Sequence, residues 1–305
     1  MMTQHSHVSH EIRSQPESWV KALGRLPDVS PVLARRGERV AVIGCGTSWF
    51  MAAAYAALRE RSGAGETDAF AASLFPADRR YDRVLAISRS GTTTEVVRAI
   101  EASTAPVTAL TAVPDSPVAA AADETVALEF ADEQSVVQTV FATTALILLR
   151  GSLGEPLEPV VAQCRAVLDE VAPFAPDVEQ AAQYTFLGHG WGYGIALEAA
   201  LKMREAAQLW TEAYPQLEYR HGPIAIAEPG RAVWVFGEPV ANLRADIAAT
   251  GAAIVADGLD PIADLVRAQL LAVRRAEAQQ LDPDRPRSLT RSVVLGEGSS
   301  GADVR

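Results

Sequence analysis

From Arg39 onward, short unbroken apolar runs alternate with longer stretches whose apolar residues recur every three or four positions. Val40-Ala41-Val42-Ile43 is one such run, and it stops at Gly44-Cys45-Gly46-Thr47-Ser48. An Ala-rich helical stretch, residues 49–61, follows it, and then an expected strand at 67–72. Residues 82–88 (DRVLAIS) form another strand-like run, ending in Arg89-Ser90-Gly91-Thr92. A helix to about Ala102, strands at 107–111 and 124–128, and a buried helix at 136–150 complete this half. Strands that are apolar at every position are covered on both faces, and their alternation with helices makes the sheet parallel.

Residues 151–156 (GSLGEP) read as a linker, after which the pattern restarts. A strand at 184–187 leads into the loop GHGWG (188–192), a helix at 193–210, a strand at 232–236, a helix from about Asn242 and an apolar run at 252–256. The expectation is α/β: two units in series with parallel sheets, the second shortened. An N-terminal arm and helix (1–26, the helix near 17–26) precedes units at 27–153 and 154–281, and a polar tail (282–305) closes the chain. His5, His7 and His10 fall in the arm and read as a mobile terminus rather than a metal site, since no second ligand cluster accompanies them.

Composition narrows the classes. The 305 residues suffice for two cores, and 49% hydrophobic content argues against disorder. With 27 basic and 38 acidic residues the net charge is -11, which repels phosphate backbones and disfavours nucleic acid as the main partner. Cys45 and Cys164 are too few for a disulfide framework. The start is polar, without a charged-then-apolar leader, and the run 136–149 is short and interrupted by Gln138, Thr139, Thr143 and Thr144. A cytoplasmic protein with no membrane partner is expected.

Two loops follow strands, where open α/β sheets bind ligands. Gly44-Cys45-Gly46-Thr47-Ser48 is half of a dinucleotide fingerprint, but Trp49 stands where a third glycine would be needed, which disfavours a nicotinamide cofactor. It offers a tight turn with two hydroxyls at a helix start, suited to sugar hydroxyls or an anion. Ser88-Arg89-Ser90-Gly91-Thr92-Thr93-Thr94-Glu95 is dense in hydroxyls, and Thr92 and Glu95 have capping-box spacing. Free amides and the positive end of a helix dipole would make it a phosphate cradle; the alternative is a turn that only caps its helix.

Glu198, Lys202 and Glu205 share one helix face at i, i+4 and i+7. Spacing alone favours a solvated charge stripe. The run Tyr214-Pro-Gln-Leu-Glu-Tyr-Arg-His-Gly-Pro223 brings His221 into a Gly-Pro turn, and a His with a Glu near two ligand loops has the makings of an acid–base pair.

Together the CGTS loop, the SRSGTTTE loop and ALEAALKMREAAQLWTEAYPQLEYRHGP resemble the double sugar-isomerase (SIS) domain family, over about residues 10–296. They are similar to the isomerase half of glucosamine-6-phosphate synthase and to amino-sugar-phosphate isomerase/deaminases. The resemblance implies two flavodoxin-like three-layer α/β/α units and a sugar-phosphate substrate. It implies that Ser88, Arg89, Ser90 and Thr93 hold the phosphate, that Thr47 and Ser48 touch the sugar or its phosphate, and that Gln138 and Val136 lie near sugar hydroxyls. Glu205 would move a proton between C1 and C2. His221 would open the ring from a neighbouring subunit, making a homodimer the catalytic unit. Cys45, Gly46, Lys202 and Arg291 would support the site. The resemblance implies no metal and no other cofactor.

Departures from the family pattern refine this expectation. Met2 stands where a glutaminase would need a terminal cysteine, which points to a stand-alone isomerase or a deaminase. Arg291 replaces a lysine able to form an imine, and a guanidinium is no amine nucleophile. The segment 255–282 is short, so a strand of the second sheet is expected to be missing. The alternatives are a non-catalytic phosphosugar sensor, disfavoured because the segment before Arg39 is too short for a DNA-binding domain, and a deglycase acting on an amine-conjugated sugar phosphate.

Overall fold

A computed structural model describes residues 6–169 and 174–296. The chain opens with α1 (His7–Gly24) and the short α2 (Leu26–Val29). The first sheet is then built from β1 (Val40–Gly44), α3 (Thr47–Arg61), β2 (Thr67–Ala71), β3 (Arg83–Ser88), α4 (Thr94–Ala102), β4 (Val107–Thr111), α5 (Pro117–Ala121) and β5 (Glu124–Ala127). Helices α6 (Val140–Gly151), α7 (Glu158–Asp169) and α8 (Pro176–Glu179) lead to the second sheet. That half comprises β6 (Gln183–Gly188), α9 (Gly192–Ala207), β7 (Trp210–Pro215), β8 (Arg231–Phe236), α10 (Leu243–Thr250), β9 (Ala253–Val255) and α11 (Pro261–Ala278).

Both sheets are parallel throughout. The five-stranded sheet runs β2-β1-β3-β4-β5, the doubly wound order with a switch point between β1 and β3. The four-stranded sheet runs β7-β6-β8-β9, one strand shorter, as the brief 255–282 segment implies. Every residue of β1 is buried, as expected of strands covered by helices on both faces. One continuous core joins the inner faces of the two sheets through α1, α3, α6, α7, α9 and α11, while smaller clusters cover each outer face.

Helices α3 and α9 cross closely where Gly194 faces Phe50 and Ala54. A Cβ at 194 would lie 2.6 Å from the Phe50 carbonyl oxygen. This contact brings the N-terminus of α3 against the polar face of α9, which assembles the site described below.

The structure corrects two expectations and fills in a third. Where the sequence suggested an arm, α1 already begins at His7; His5 lies outside the described residues. Ser6 caps it, and the Asp284 carboxylate of the tail accepts from the His7 and Val8 amides at 2.8 Å. Val8, Ile12, Trp19 and Ala22 bury one face of the helix, and Pro16 is accommodated within it. The helix expected at 193–210 ends at Ala207, where Gln208 adopts φ 54, so residues 210–215 become edge strand β7. The segment before the tail, read only as shortened, forms the 18-residue α11. Among the described residues no helix is long and apolar enough to cross a membrane.

Candidate active site

Strands β1 and β3 lie side by side, so their C-terminal loops meet at the switch point of the first sheet. After β1, Gly46 turns with φ 54, and α3 starts with buried Thr47 and Ser48. After β3, Gly91 takes φ +66 and packs on Ser116 so tightly that a Cβ would overlap the Ser116 hydroxyl. The chain then enters α4, whose N-cap is Thr93.

The capping box expected from Thr92 and Glu95 does not form. The Thr92 hydroxyl instead meets Ser90 Oγ at 3.1 Å and Ser292 Oγ at 2.8 Å. Among the described residues, buried Oε2 of Glu95 has no hydrogen-bond partner. The helix start is placed one residue later than the spacing implied, which frees these hydroxyls for the loop rather than the helix.

Between the two loops lies a cleft of about 210 Å³. Cys45, Gly46, Thr47 and Ser48 form one wall, and Ser88, Arg89, Ser90 and Thr93 another. Val136 and Gln138 reach in from the segment before α6, and Glu205 from α9. The Gln138 side-chain amide nitrogen is buried and has no partner among the described residues. Burial raises the Cys45 thiol to about 11, with Glu95 adding to the effect, so Cys45 stays a neutral thiol.

Tail residues Leu289, Thr290, Arg291, Ser292 and Val293 close the cleft. Of these, sequence reasoning assigned only Arg291 to the site, and it also passed over Glu95. The hydroxyls of Thr290 and Ser292 were the available signal. The Val293 carbonyl accepts from the Thr94 amide at 3.3 Å, and Thr94 Oγ1 accepts from the Leu295 amide at 2.9 Å.

Two guanidinium groups in the cleft lining are engaged by other parts of the chain. Arg89 Nη1 donates to Ser135 O at 3.1 Å, and Nη2 to Val136 O at 3.3 Å and Arg291 O at 3.2 Å. Arg291 donates to Asp132 and to the Glu133 carbonyl.

The polar face of α9 is no solvated stripe. Glu198 and Lys202 are each 1% exposed. Lys202 Nζ donates to Glu205 Oε2 at 2.5 Å and to Thr47 Oγ1 at 3.0 Å, and lies 3.4 Å from Glu198 Oε1. Thr47 in turn donates to Glu198 Oε1 at 3.2 Å. Burial raises the Glu198 carboxyl to about 7, opposed by Lys202 and reinforced by Glu205. Burial alone would lower Lys202, but Glu198 and Glu205 beside it outweigh that, and its ammonium is held more firmly than usual. Glu205 is thus a carboxylate fixed by a buried ammonium at the cleft wall, a geometry able to carry a proton to and from a bound carbon.

His221 is not brought to this cleft by its own chain. It sits exposed in the short 3₁₀ turn Glu218–His221 after β7, and the cleft lining does not include it.

Known proteins resemble this chain in sequence and in fold. The SIS domain model matches residues 33–150. The glutamine–fructose-6-phosphate aminotransferase (isomerizing) of Sulfurisphaera tokodaii is 28% identical over 299 residues, covering 86% of this chain and 51% of that protein. Its counterpart in Methanothermobacter thermautotrophicus is 29% identical over 332 residues, covering 93% and 55%. The chain therefore spans about half the length of these curated relatives. Among solved structures, a glucosamine-6-phosphate deaminase from Thermotoga maritima is 25% identical with a TM-score of 0.80, covering 95% of this chain and 100% of that one. Tagatose-6-phosphate ketose/aldose isomerase from Escherichia coli, 20% identical over 92% and 95% of the two chains with a TM-score of 0.73, shares the fold. The chain thus carries an SIS domain over residues 33–150 and is homologous to the isomerase domain of glucosamine-6-phosphate synthase and to phosphosugar isomerases and deaminases.

Proposed function

We propose that this chain is an aldose–ketose isomerase or deaminase of hexose 6-phosphates, with amino-sugar 6-phosphates as its preferred substrates. The observation that carries the reading is the Glu205 carboxylate, pinned by buried Lys202 in the cleft that the hydroxyl-rich 88–93 loop also lines. In this reading Ser88, Ser90, Thr93 and backbone amides of the loop that precedes α4 hold the phosphate. Thr47, Ser48 and Gln138 face the sugar, beside Val136. Glu205 takes the proton from C2 and returns it at C1 through an enediol or enolamine. From an amino sugar this gives a 2-imine; water adds at C2 and ammonia leaves, yielding the ketose phosphate. His221 of a neighbouring copy opens the ring, so the working unit is a cytoplasmic homodimer of chains divided at 27–153 and 154–281. Arg291 takes no part in imine formation, since its guanidinium is engaged by Asp132 and the Glu133 carbonyl.

One observation favours the deglycase variant. Glu205 and Leu289 also line a neighbouring cavity of about 490 Å³, walled by Leu201, Leu209 and exposed Trp210, with room for the amine half of a conjugated sugar. Assays of ammonia and ketose release from glucosamine and galactosamine 6-phosphates, and of amino-acid and aldose-phosphate release from an amino-acid conjugate of fructose 6-phosphate, separate the two. Turnover of the free amino sugars establishes the first reading, and turnover of the conjugate alone the second.

A further inference from the structure

The cleft is lined by just two cationic side chains among the described residues, Arg89 and Arg291. Arg89 is 4% exposed, yet its charge is not offered to the cleft. The two terminal nitrogens serve two other segments of the chain: the carbonyls of Ser135 and Val136 on one side and of Arg291 on the other. Of the five N–H groups two remain: Nε, which is buried and has no partner among the described residues, and the second hydrogen of Nη1, whose nitrogen faces Glu133 at 3.7 Å; neither Nη2 hydrogen is left for an end-on fork.

The segment that Arg89 grips is itself fixed from behind. Glu133, with a fully buried side chain, lies 3.7 Å from Arg89 Nη1. Its carboxylate accepts from the amides of Thr139, Val140 and Phe141 at 2.6, 2.8 and 3.1 Å, holding the free N–H groups at the start of α6. Glu11 of α1 takes the Gln134 amide at 2.6 Å and the Ser135 amide at 3.2 Å. Arg291 closes the circuit by donating to the Glu133 carbonyl. Three separate stretches, the 88–93 loop, the 132–139 segment and the 289–293 tail, therefore meet at one buried guanidinium. Those stretches carry Ser90, Gln138 and Ser292 into the cleft.

We propose that Arg89 is a positioning residue: it sets the cleft through the 135–138 segment and the tail, and a bound phosphate is held by hydroxyls and backbone amides without a cationic side chain. The proposal rests on the reading of the cleft as a phosphate site. It separates two roles that the sequence merges, because an arginine in a hydroxyl-rich loop after a strand looks like an anion ligand. A planar fork that satisfies three carbonyls has no equivalent in lysine, whereas a charge on a phosphate does.

The test compares Arg89→Lys and Arg89→Gln in the full chain by hydrogen exchange without ligand, and by binding of inorganic phosphate and glucosamine 6-phosphate. The expected result is that exchange in residues 134–139 and 289–295 rises about tenfold or more in both variants, with affinity for both ligands falling alike and Lys rescuing nothing. Wild-type exchange in both segments, with affinity kept by Lys and lost by Gln, would make Arg89 a phosphate ligand and overturn the proposal. Should the variants fail to fold, phosphate binding to the wild-type chain is titrated with salt. A change in affinity within about twofold between 50 and 300 mM salt supports a cradle of neutral donors, and a steep fall overturns it. Wild-type chain that binds neither probe would overturn the phosphate reading itself, while the exchange result stands apart from it.

Discussion

The two sheets are built on one plan and diverge where it matters for chemistry. In each, the second-numbered neighbour of the central pair ends in a loop at a helix start: β3 leads through residues 89–93 into α4, and β8 through residues 237–242 into α10. The first loop carries Ser90, Thr92 and Thr93; the second reads Gly237-Glu238-Pro239-Val240-Ala241-Asn242. There the Val240 amide is taken by Gln216 Oε1 at 2.8 Å, and Glu238 and Pro239 replace the hydroxyls. An acidic side chain and a missing N–H make a poor anion site. The second half supplies other groups: Lys202 and Glu205 from α9 and an exposed His221. In the proposed reading these similar backbones divide the labour, one half binding and the other moving protons, and the close crossing at Gly194 brings the two together.

This division is broken most severely at the proton-moving half. Glu205→Gln is expected to lower kcat by about a thousandfold or more while sugar-phosphate affinity measured by calorimetry stays within a few-fold; lost binding would place Glu205 in the cradle instead. Gly194→Val attacks the junction itself. Its side chain would strike Phe50 O and Ala54, and a loss of about 3 kcal/mol in denaturant unfolding is expected; unchanged stability would mean that the crossing is not tight.

Burial of the proton-moving half has a pH signature. In the folded chain Glu198 keeps its proton to about 7, against 4.5 for an ordinary carboxyl, so the folded state binds more protons within that window. Stability therefore falls as pH rises through it, by at most about 3 kcal/mol from this group. Glu198→Gln should flatten that slope in urea titrations at pH 5 and pH 8, leaving what comes from Asp264, which burial raises to about 6, and from Glu133, which burial also raises. An undiminished slope would assign the pH dependence elsewhere. The smallest effect belongs to the binding half: Ser90→Ala should raise KM up to about tenfold with kcat nearly kept, whereas Glu238→Ala in the matching loop should leave KM unchanged. Equal effects would erase the contrast between the sheets.

Much of the architecture could be read from the residues because parallel strands announce themselves. Runs such as Val40-Ala41-Val42-Ile43 have no polar alternate, and the strands at 107–111 and 183–188 are buried throughout. Helix α1 was harder to see, since histidines and Pro16 obscure the Val8, Ile12 and Trp19 face that only the core reveals. The 210–215 strand was hidden by helix-like composition up to Trp210, and the left-handed turn at Gln208 is a property of φ that the sequence does not display. At the site, both loops and Glu205 were visible as residue types in order. The spacing of Glu198 and Lys202 could not tell an exposed stripe from a buried relay, because i,i+4 geometry is the same in both. Nor could it show where Arg89 points, which depends on carbonyls 46 and 202 residues away.

The most direct measurement is a turnover screen of the purified chain and its Glu205→Gln variant. The substrates are glucose, fructose, glucosamine and galactosamine 6-phosphates, followed by ammonia release, ketose–aldose conversion and thermal shift. The account predicts turnover of at least one of them by the wild-type chain, with thermal stabilisation kept and turnover lost in the variant. Stabilisation without turnover in the wild-type chain would contradict the catalytic role of Glu205, and silence in every channel would contradict the phosphate site as well.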